Sequence, residues 1–373
     1  MKRRNFIKTA LGFAAATQVV RAADALAAGK SIAAAPGSPQ DANPDSAKSV
    51  ALAGPLKVEG YSRFLQWLRT PAEVAAAVNE LGFNGLDLTV RPYPGHVDPA
   101  RVAQDLPQFV QGLKEHGVEV KTIAAGISDA DSAHAEEILA TASGLGIRYY
   151  WGGTFRYDLS KPILAQLDEL KPKVEKLVAL NKKYDMTAMY HTYTFPAAVG
   201  CTMWDLMYLL RGFDPAHAGI HFDTSHMVNA QLLGGWQTSL LAAGPYIRGV
   251  SIKDSVLEKR PPAPPRPAGG DGARPRQPQR AMAPSPFGDV DWREKYTPLG
   301  QGNVPVKDVL RILKSVAFAG PVEIQIEYPD GGADQGLDKI TLPRAEVLKP
   351  IHDDLQYLRA AAQEVGFTAA AVA

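Results

Sequence analysis

The chain has very little cysteine, net charge or continuous apolar sequence. Its 373 residues contain one cysteine, Cys201, so an intramolecular disulfide and a cysteine-based zinc site are excluded. The 40 Lys and Arg against 39 Asp and Glu leave a net charge of +1, which provides no strong field to attract nucleic acid or an anionic membrane. Since 46% of the residues are hydrophobic, the chain can still bury the core of an α/β barrel, which takes about 250 residues.

Residues 1–28 resemble a twin-arginine signal peptide. Arg3 and Arg4 precede Phe6 in the segment MKRRNFIKTALGFAAA, and a weakly apolar stretch extends to Val20. That stretch is too short and too rich in alanine for stable insertion in a membrane. We therefore expect export to the periplasm or beyond by the twin-arginine pathway, with a flexible linker over residues 29–57. An ordinary helix after a basic start is the alternative.

Strand-like apolar runs alternate with helix-like segments over residues 58–368. The runs cover residues 64–68, 85–90, 118–124, 148–151, 186–190, 218–222, 247–252 and 322–326. Eight such runs, each followed by a helical pattern, predict a single (β/α)8 barrel of the α/β class. An open doubly wound sheet is the alternative, but no glycine-rich phosphate-binding turn follows the first run.

One segment, residues 257–286, breaks this alternation. It reads LEKRPPAPPRPAGGDGARPRQPQRAMAPSP and has too few apolar residues to anchor a core, which predicts a disordered insert rich in Pro and Arg. Because it follows strand seven, it emerges on the face where barrel active sites lie, so a lid is one role open to it.

The alternation of side chains along the strands predicts polar layers inside the barrel. The side chains expected to point inward are Asp87, Thr89, Arg91, Met189, His191, His221, Asp223, Ser251, Lys253, Glu323, Gln325 and Glu327. Burying so many polar groups costs free energy unless they are paired or bind something. Since the carboxyl ends of all eight strands meet on one face, these residues predict a catalytic pocket there.

Several motifs resemble those of the xylose isomerase-like TIM barrel superfamily, also called AP endonuclease family 2, and of its twin-arginine-exported members in particular. They are LGFNGLDLTVRPYPGHV, HFDTSHM, SIKD, PLGQGNV, IEYPDGGA and DDLQYLR. The resemblance implies one divalent ion with ligands after strands five to eight, and it places His191, Asp223 and Glu327 at three of those positions. Ser251 stands where the strand-seven His is expected, while His226 matches the second residue of an Asp-x-x-His pair that contacts substrate or a second metal.

The chemistry that suits these residues is proton transfer next to a carbonyl. Isomerisation or epimerisation removes a proton from carbon and leaves an enediolate, whose charge a divalent ion stabilises. Two carboxylates and an imidazole suit Mn, Co, Zn or Mg. We expect Glu327 to be the catalytic base, with His226 and Lys253 as further catalytic residues.

Four more residues are candidates for substrate binding. Arg91 and His96 follow strand two and could hold hydroxyls or a carboxylate, while Trp151 and Tyr190 could present apolar faces to a sugar. Core packing is the common role of such aromatic residues. The expected partner is a small carbohydrate, with neither nucleic acid nor stable membrane insertion, and a homo-oligomer is left open.

Three functions are open on the sequence. A metal-dependent isomerase or epimerase acting on a sugar or keto-sugar is favoured. A lyase or dehydratase acting on a keto-glycoside or inosose would use the same enediolate and then expel a leaving group. A carbohydrate-binding barrel that has lost its metal is the third, and Ser251 permits it.

Overall fold

The computed structural model describes residues 56–259 and 292–367. In chain order the strands are β1 (Val58–Tyr61), β2 (Gly85–Thr89), β3 (Val120–Ala124), β4 (Tyr149–Trp151), β5 (Thr187–His191), β6 (Ala218–Asp223), β7 (Ile247–Ile252), β8 (Asp254–Lys259), β9 (Trp292–Thr297) and β10 (Val322–Ile324). All except β8 and β9 form a closed parallel barrel in the order β1-β10-β7-β6-β5-β4-β3-β2. The predicted (β/α)8 fold is confirmed.

Helices connect these strands in the described residues. They are α1 (Pro71–Leu81), α2 (Val102–Glu115), α3 (Ala135–Gly144), α4 (Ile163–Tyr184), α5 (Trp204–Leu210), α6 (Thr224–Ala230), α7 (Gly235–Ala243), α8 (Val306–Ser315) and α9 (Arg344–Glu364), with short 3-10 helices at Ser62–Leu65, Pro99–Arg101 and Gly244–Tyr246. None of the helices within 56–259 and 292–367 is both long and apolar enough to cross a bilayer. A turn over residues 231–234 separates α6 from α7.

The bounds of α1 follow from its sequence. The Thr70 hydroxyl accepts a hydrogen bond from the Glu73 N–H, and the Glu73 carboxylate accepts one from the Thr70 N–H, which forms a capping box before Pro71. Gly82 ends the helix with φ at 86°, a conformation that favours glycine. This helix therefore begins and ends where local chemistry dictates.

The first strand lies earlier than the sequence predicts. Residues 58–61, VEGY, form β1, while the apolar residues Phe64 and Leu65 belong to the 3-10 helix that follows and pack in the core. The expected strand at 64–68 is therefore wrong. The true strand is hard to recognise, because Glu59 and Gly60 interrupt its apolar pattern.

A hairpin follows β7 at the carboxyl face of the barrel. β8 and β9 pair antiparallel, with Asp254 opposite Thr297 and Lys259 opposite Trp292. The expected disordered insert is thus wrong for residues 257–259, which belong to β8, and its remaining residues lie outside the described part of the chain.

Asp254 holds the loop that follows the hairpin. Its carboxylate accepts hydrogen bonds from the N–H groups of Gly300 (3.0 Å), Gly302 (2.9 Å) and Val304 (3.0 Å). A Cβ at position 302 would lie 2.1 Å from Asp254 Oδ1, so this position requires glycine. The motifs SIKD and PLGQGNV therefore form one structural unit.

The barrel interior is polar beneath the carboxyl face. The Trp151 Nε1–H on β4 donates a hydrogen bond to Asp87 on β2, and His221 Nε2 on β6 lies 3.6 Å from Glu323 Oε1 on β10. Each contact joins strands that are not neighbours, so these side chains point into the barrel, which is the orientation predicted for Asp87, His221 and Glu323. Burial raises the pKa of Glu323 well above its ordinary value, and nearby Asp87 adds to the effect.

Candidate active site

Four polar side chains meet at the carboxyl ends of β5, β6 and β7. His191 ends β5, Asp223 ends β6, Lys253 follows β7, and His226 lies in the first turn of α6. Each of the four is at most 7% exposed. Such polar groups are buried stably only when they are paired or bind an ion.

Asp223 uses its two carboxylate oxygens differently. Oδ1 accepts a hydrogen bond from the His226 N–H at 3.0 Å and so caps α6. Oδ2 is buried and makes no hydrogen bond of good geometry in the described residues. Three nitrogen atoms nevertheless surround Oδ2: His191 Nε2 at 3.3 Å, His226 Nε2 at 3.6 Å and Lys253 Nζ at 2.9 Å.

The residues around Asp223 Oδ2 fit a divalent ion. One donor atom from each of His191, Asp223 and His226 lies within 4.8 Å of the other two. Two imidazoles and a carboxylate are a common ligand set for Zn and also suit Mn or Co, with water or substrate completing the shell. These three residues therefore form the candidate metal site.

This ligand set differs from the expected set of His191, Asp223 and Glu327. The Lys253 ammonium lies 2.8 Å from Glu327 Oε2 and 2.9 Å from Asp223 Oδ2, so it stands between the two carboxylates. His226 takes the place of Glu327 beside Asp223. Glu327 belongs to the same pocket but not to the compact donor group.

Two cations hold the Glu327 carboxylate. Arg63 Nη1 donates to Oε1 at 2.8 Å and Lys253 Nζ donates to Oε2 at 2.8 Å. Burial raises the pKa of Glu327, but Lys253 and Arg63 outweigh burial and lower it to about 2. Glu327 is therefore a carboxylate at neutral pH, and its side chain is 20% exposed, enough for contact with a ligand.

Lys253 remains an ammonium in this environment. Burial lowers its pKa, but the carboxylates of Asp223 and Glu327 outweigh burial and hold the pKa well above its ordinary value. Its Nζ also lies 3.3 Å from His226 Nε2 and 5.1 Å from the centroid of the Tyr296 ring. The partners of the Lys253 ammonium are therefore Asp223, Glu327 and His226.

Glu294 on β9 is a site residue that the sequence motifs do not predict. Its Oε2 accepts hydrogen bonds from His226 Nδ1 and from the Thr194 hydroxyl, both at 2.7 Å, and its Oε1 accepts one from the Ser225 hydroxyl at 2.6 Å. Burial raises the pKa of Glu294, but His226, the Ser225 hydroxyl and Lys253 together outweigh burial and lower it to about 2. A carboxylate on the far nitrogen of a ligand imidazole fixes its tautomer and orientation. The alternation of Trp292, Glu294 and Tyr296 was the available signal for this strand.

The two aromatic candidates have different surroundings. The Trp151 ring is buried and stacks on His191 with centroids 4.8 Å apart, so it packs directly against a residue of the candidate metal site. The Tyr190 hydroxyl donates to the Ser128 carbonyl at 3.0 Å, and its ring packs 5.8 Å from that of Phe155. Tyr190 is therefore engaged in packing between β5 and the loop after β3.

Arg91 and His96 hold the loop after β2. Both ring nitrogens of His96 have partners, the Thr89 hydroxyl at 3.0 Å and the Leu68 carbonyl at 3.2 Å. Burial lowers the pKa of His96 to about 4, so the ring is neutral at pH 7. Arg91 Nε donates to the Pro94 carbonyl at 2.8 Å. These contacts give both residues a structural part in this loop.

Comparisons with known proteins agree with this architecture. The family model described as "Xylose isomerase-like TIM barrel" matches residues 75–364. No curated protein matches the chain.

The chain is also similar to solved structures of low sequence identity. The 3-keto-D-glucoside 4-epimerase of E. coli has a TM-score of 0.52 and 13% identity, with 82% of this chain and 99% of that chain covered. The D-psicose 3-epimerase of Clostridium cellulolyticum H10 has a TM-score of 0.55 and 14% identity, with 82% and 99% covered. A protein from Mycobacterium smegmatis in complex with magnesium has a TM-score of 0.51 and 13% identity, with 83% and 97% covered. At such low identity, a likeness to a solved structure shows the fold alone.

Proposed function

Because the chain belongs to the xylose isomerase-like TIM barrel family, we propose that it is a carbohydrate isomerase or epimerase. It moves a proton on a carbon next to the carbonyl of a sugar or keto-sugar. The observation that carries this proposal is the Glu327 carboxylate, partly exposed and held by Lys253 and Arg63 beside the His191–Asp223–His226 donor group. A carboxylate next to a positively charged centre is what enediolate chemistry requires.

In the proposed reaction Glu327 accepts the proton from carbon. The C–H bond breaks, and its electron pair forms the enediolate while the carbonyl oxygen becomes negatively charged. Solvent then supplies a proton to the opposite face of the same carbon, which gives an epimer, or to the neighbouring carbon, which gives an isomer, and Glu327 releases its own proton to solvent. Arg63 and Lys253 each donate to one oxygen of the Glu327 carboxylate, and a remaining lone pair on these oxygens accepts the proton.

A divalent ion held by His191, Asp223 and His226 would supply Lewis-acid stabilisation of the enediolate charge. Around it, the protein contributes orientation and exclusion of water. Glu294 orients His226, the capping bond to the His226 N–H orients Asp223, and the Trp151 ring stacks against His191. A pocket fixed in this way needs little reorganisation when charge develops on the substrate.

The similar solved structures support the carbohydrate part of the proposal. One of them is an epimerase of 3-keto-D-glucosides and another is an epimerase of D-psicose. Both substrates carry a carbonyl next to the carbon whose configuration changes. We therefore propose keto-sugars and keto-glycosides as the substrate class of this chain.

Product analysis tests the proposal. The protein is incubated with D-psicose, D-tagatose and a 3-keto-D-glucoside in the presence of MnCl2, and the sugars are separated by chromatography. We expect an epimer or isomer of at least one of them, and we expect Glu327→Gln to abolish its formation without loss of the fold. Loss of the aglycone from the keto-glycoside would instead identify a lyase. Sugar binding without turnover would identify a binding barrel.

A further inference from the structure

We infer that the Lys253 ammonium competes with the divalent ion for the Asp223 carboxylate. Its ammonium neutralises Asp223 and Glu327 in the ion-free protein, and it leaves Asp223 when an ion binds. This inference rests on the proposed metal site and goes beyond it, because it identifies the residue that sets the affinity for the ion.

The geometry makes the two occupants mutually exclusive. The ion would take Asp223 Oδ2 as a ligand together with His191 and His226. Lys253 Nζ already lies 2.9 Å from that oxygen and 3.3 Å from His226 Nε2. An ammonium and a divalent ion on one buried carboxylate oxygen repel each other strongly, since little water is present to screen them.

The Lys253 ammonium has other partners that it can keep when it leaves Asp223. Its side chain is a flexible four-carbon stem, and its second partner, Glu327 Oε2, lies 2.8 Å from Nζ on the more exposed side of the pocket. The face of the Tyr296 ring lies 5.1 Å from Nζ and attracts a cation. The ammonium can therefore leave Asp223 and keep Glu327 and Tyr296.

Ser251 on β7, two positions before Lys253, favours Lys253 over the ion as the partner of Asp223. Ser251 is fully buried, pairs in register with Asp223 on β6, and its hydroxyl has no hydrogen-bond partner in the described residues. Its short side chain gives β7 no imidazole ligand for an ion. The described residues therefore offer an ion three ligands, with the Lys253 ammonium beside one of them.

Titration of two methionine variants with MnCl2 tests this inference. Lys253→Met removes the competing charge and keeps a long side chain. Lys295→Met on the neighbouring strand β9 is the matched control, because it removes the same charge from a side chain that is 61% exposed. We expect calorimetry to show that Lys253→Met binds Mn²⁺ about tenfold or more tightly than the wild type, while Lys295→Met binds it like the wild type. Equal or weaker binding by Lys253→Met would overturn the inference.

Lys253→Met could be unstable without an ion, because the substitution removes a cation from Asp223 and Glu327. Thermal unfolding with and without MnCl2 tests the inference in that case. Saturating MnCl2 should raise the melting temperature of Lys253→Met more than that of the wild type, because the ion restores the missing charge. An equal or smaller rise would contradict the inference. Lys253→Arg keeps the positive charge and should keep an affinity for Mn²⁺ close to that of the wild type.

Failure of this inference differs from failure of the proposed function. Suppose that the wild type epimerises sugars but Lys253→Met binds Mn²⁺ no more tightly than the wild type does. That result would overturn the inference of competition and leave the proposed function intact. Absence of Mn²⁺ binding by the wild type and by Lys253→Met would contradict the metal part of both proposals.

Discussion

The Glu294 carboxylate accepts a hydrogen bond from Nδ1 of His226 at 2.7 Å, although 68 residues separate the two in sequence. This contact connects the hairpin to the candidate metal site. It directs the other ring nitrogen, Nε2, toward Asp223 Oδ2, which lies 3.6 Å away. The hairpin thus contributes directly to the geometry of the site.

Glu294→Gln should weaken binding of the divalent ion. An amide holds the imidazole less firmly and no longer fixes its tautomer, and loss of such a partner typically costs about 10- to 100-fold in metal affinity. Calorimetric titration with MnCl2 measures the change. Glu258→Gln on the same hairpin, where Glu258 pairs with Arg293 near the surface, is the control and should leave affinity unchanged. Unaltered affinity in Glu294→Gln would show that His226 does not depend on this carboxylate.

Trp151→Phe should destabilise the barrel. Phenylalanine keeps the aromatic contact with His191 but removes the N–H that donates to the buried Asp87 carboxylate. A buried acceptor left without its partner costs about 1 to 3 kcal/mol of unfolding free energy. Urea unfolding monitored by circular dichroism measures this loss. Trp204→Phe, at a side chain that is 52% exposed, should change stability much less, and equal losses in the two variants would argue against the Asp87 contact.

Glu59 should make stability depend on pH. Burial and the nearby Asp87 raise its pKa from 4.5 to about 8, against smaller opposing effects of Thr122 and Lys121. The folded chain therefore holds a proton on Glu59 at pH values where the unfolded chain has lost it. The free energy of unfolding consequently falls as the pH rises from about 4.5 to about 8.

Glu59→Gln tests this linkage because it keeps a neutral side chain at every pH. At pH 8 the variant should be more stable than the wild type by about 1 to 3 kcal/mol, and at pH 5 the difference should be small. Denaturant unfolding at the two pH values measures it. Glu119→Gln, at an exposed side chain near the same end of the barrel, should show no such difference. A constant offset between Glu59→Gln and the wild type would contradict a raised pKa.

Much of the barrel is predictable from the sequence because its strands are buried on both sides. The run 247–252 coincides with β7, and the runs for β2 and β6 differ from the strands by a single residue. The first strand is the exception. Its side chain Glu59 faces the polar barrel interior, so its sequence lacks the apolar run by which the other strands are recognised.

The candidate site is predictable in its members but not in its connections. His191, Asp223, His226, Lys253 and Glu327 all follow from the motifs and the alternation of strand residues. Which of them share the ion depends on the reach of the Lys253 side chain, and spacing along the chain does not provide that. Arg63 and Glu294 were missed because one follows the misplaced first strand and the other lies beyond the insert, on a short strand with the polar sequence WREKYT.

Export by the twin-arginine pathway is a separate prediction that rests on residues 1–28. Arg3→Lys combined with Arg4→Lys should keep the protein in the cytoplasm, because lysine does not replace the paired arginines of the signal. Cell fractionation and immunoblotting measure the distribution, and the Lys2→Arg variant, which keeps both arginines, is the control. Unchanged export of the double variant would show that the signal has been misinterpreted.

Transfer of a proton from carbon by Glu327 is the central claim, and deuterium incorporation tests it most directly. The wild type is incubated in D2O with MnCl2 and a keto-sugar that it converts, and the product is examined by proton NMR. The account predicts deuterium at the carbon next to the carbonyl, and no conversion or incorporation by a folded Glu327→Gln variant. A product that forms in D2O without deuterium at that carbon, or incorporation that persists in Glu327→Gln, would contradict it.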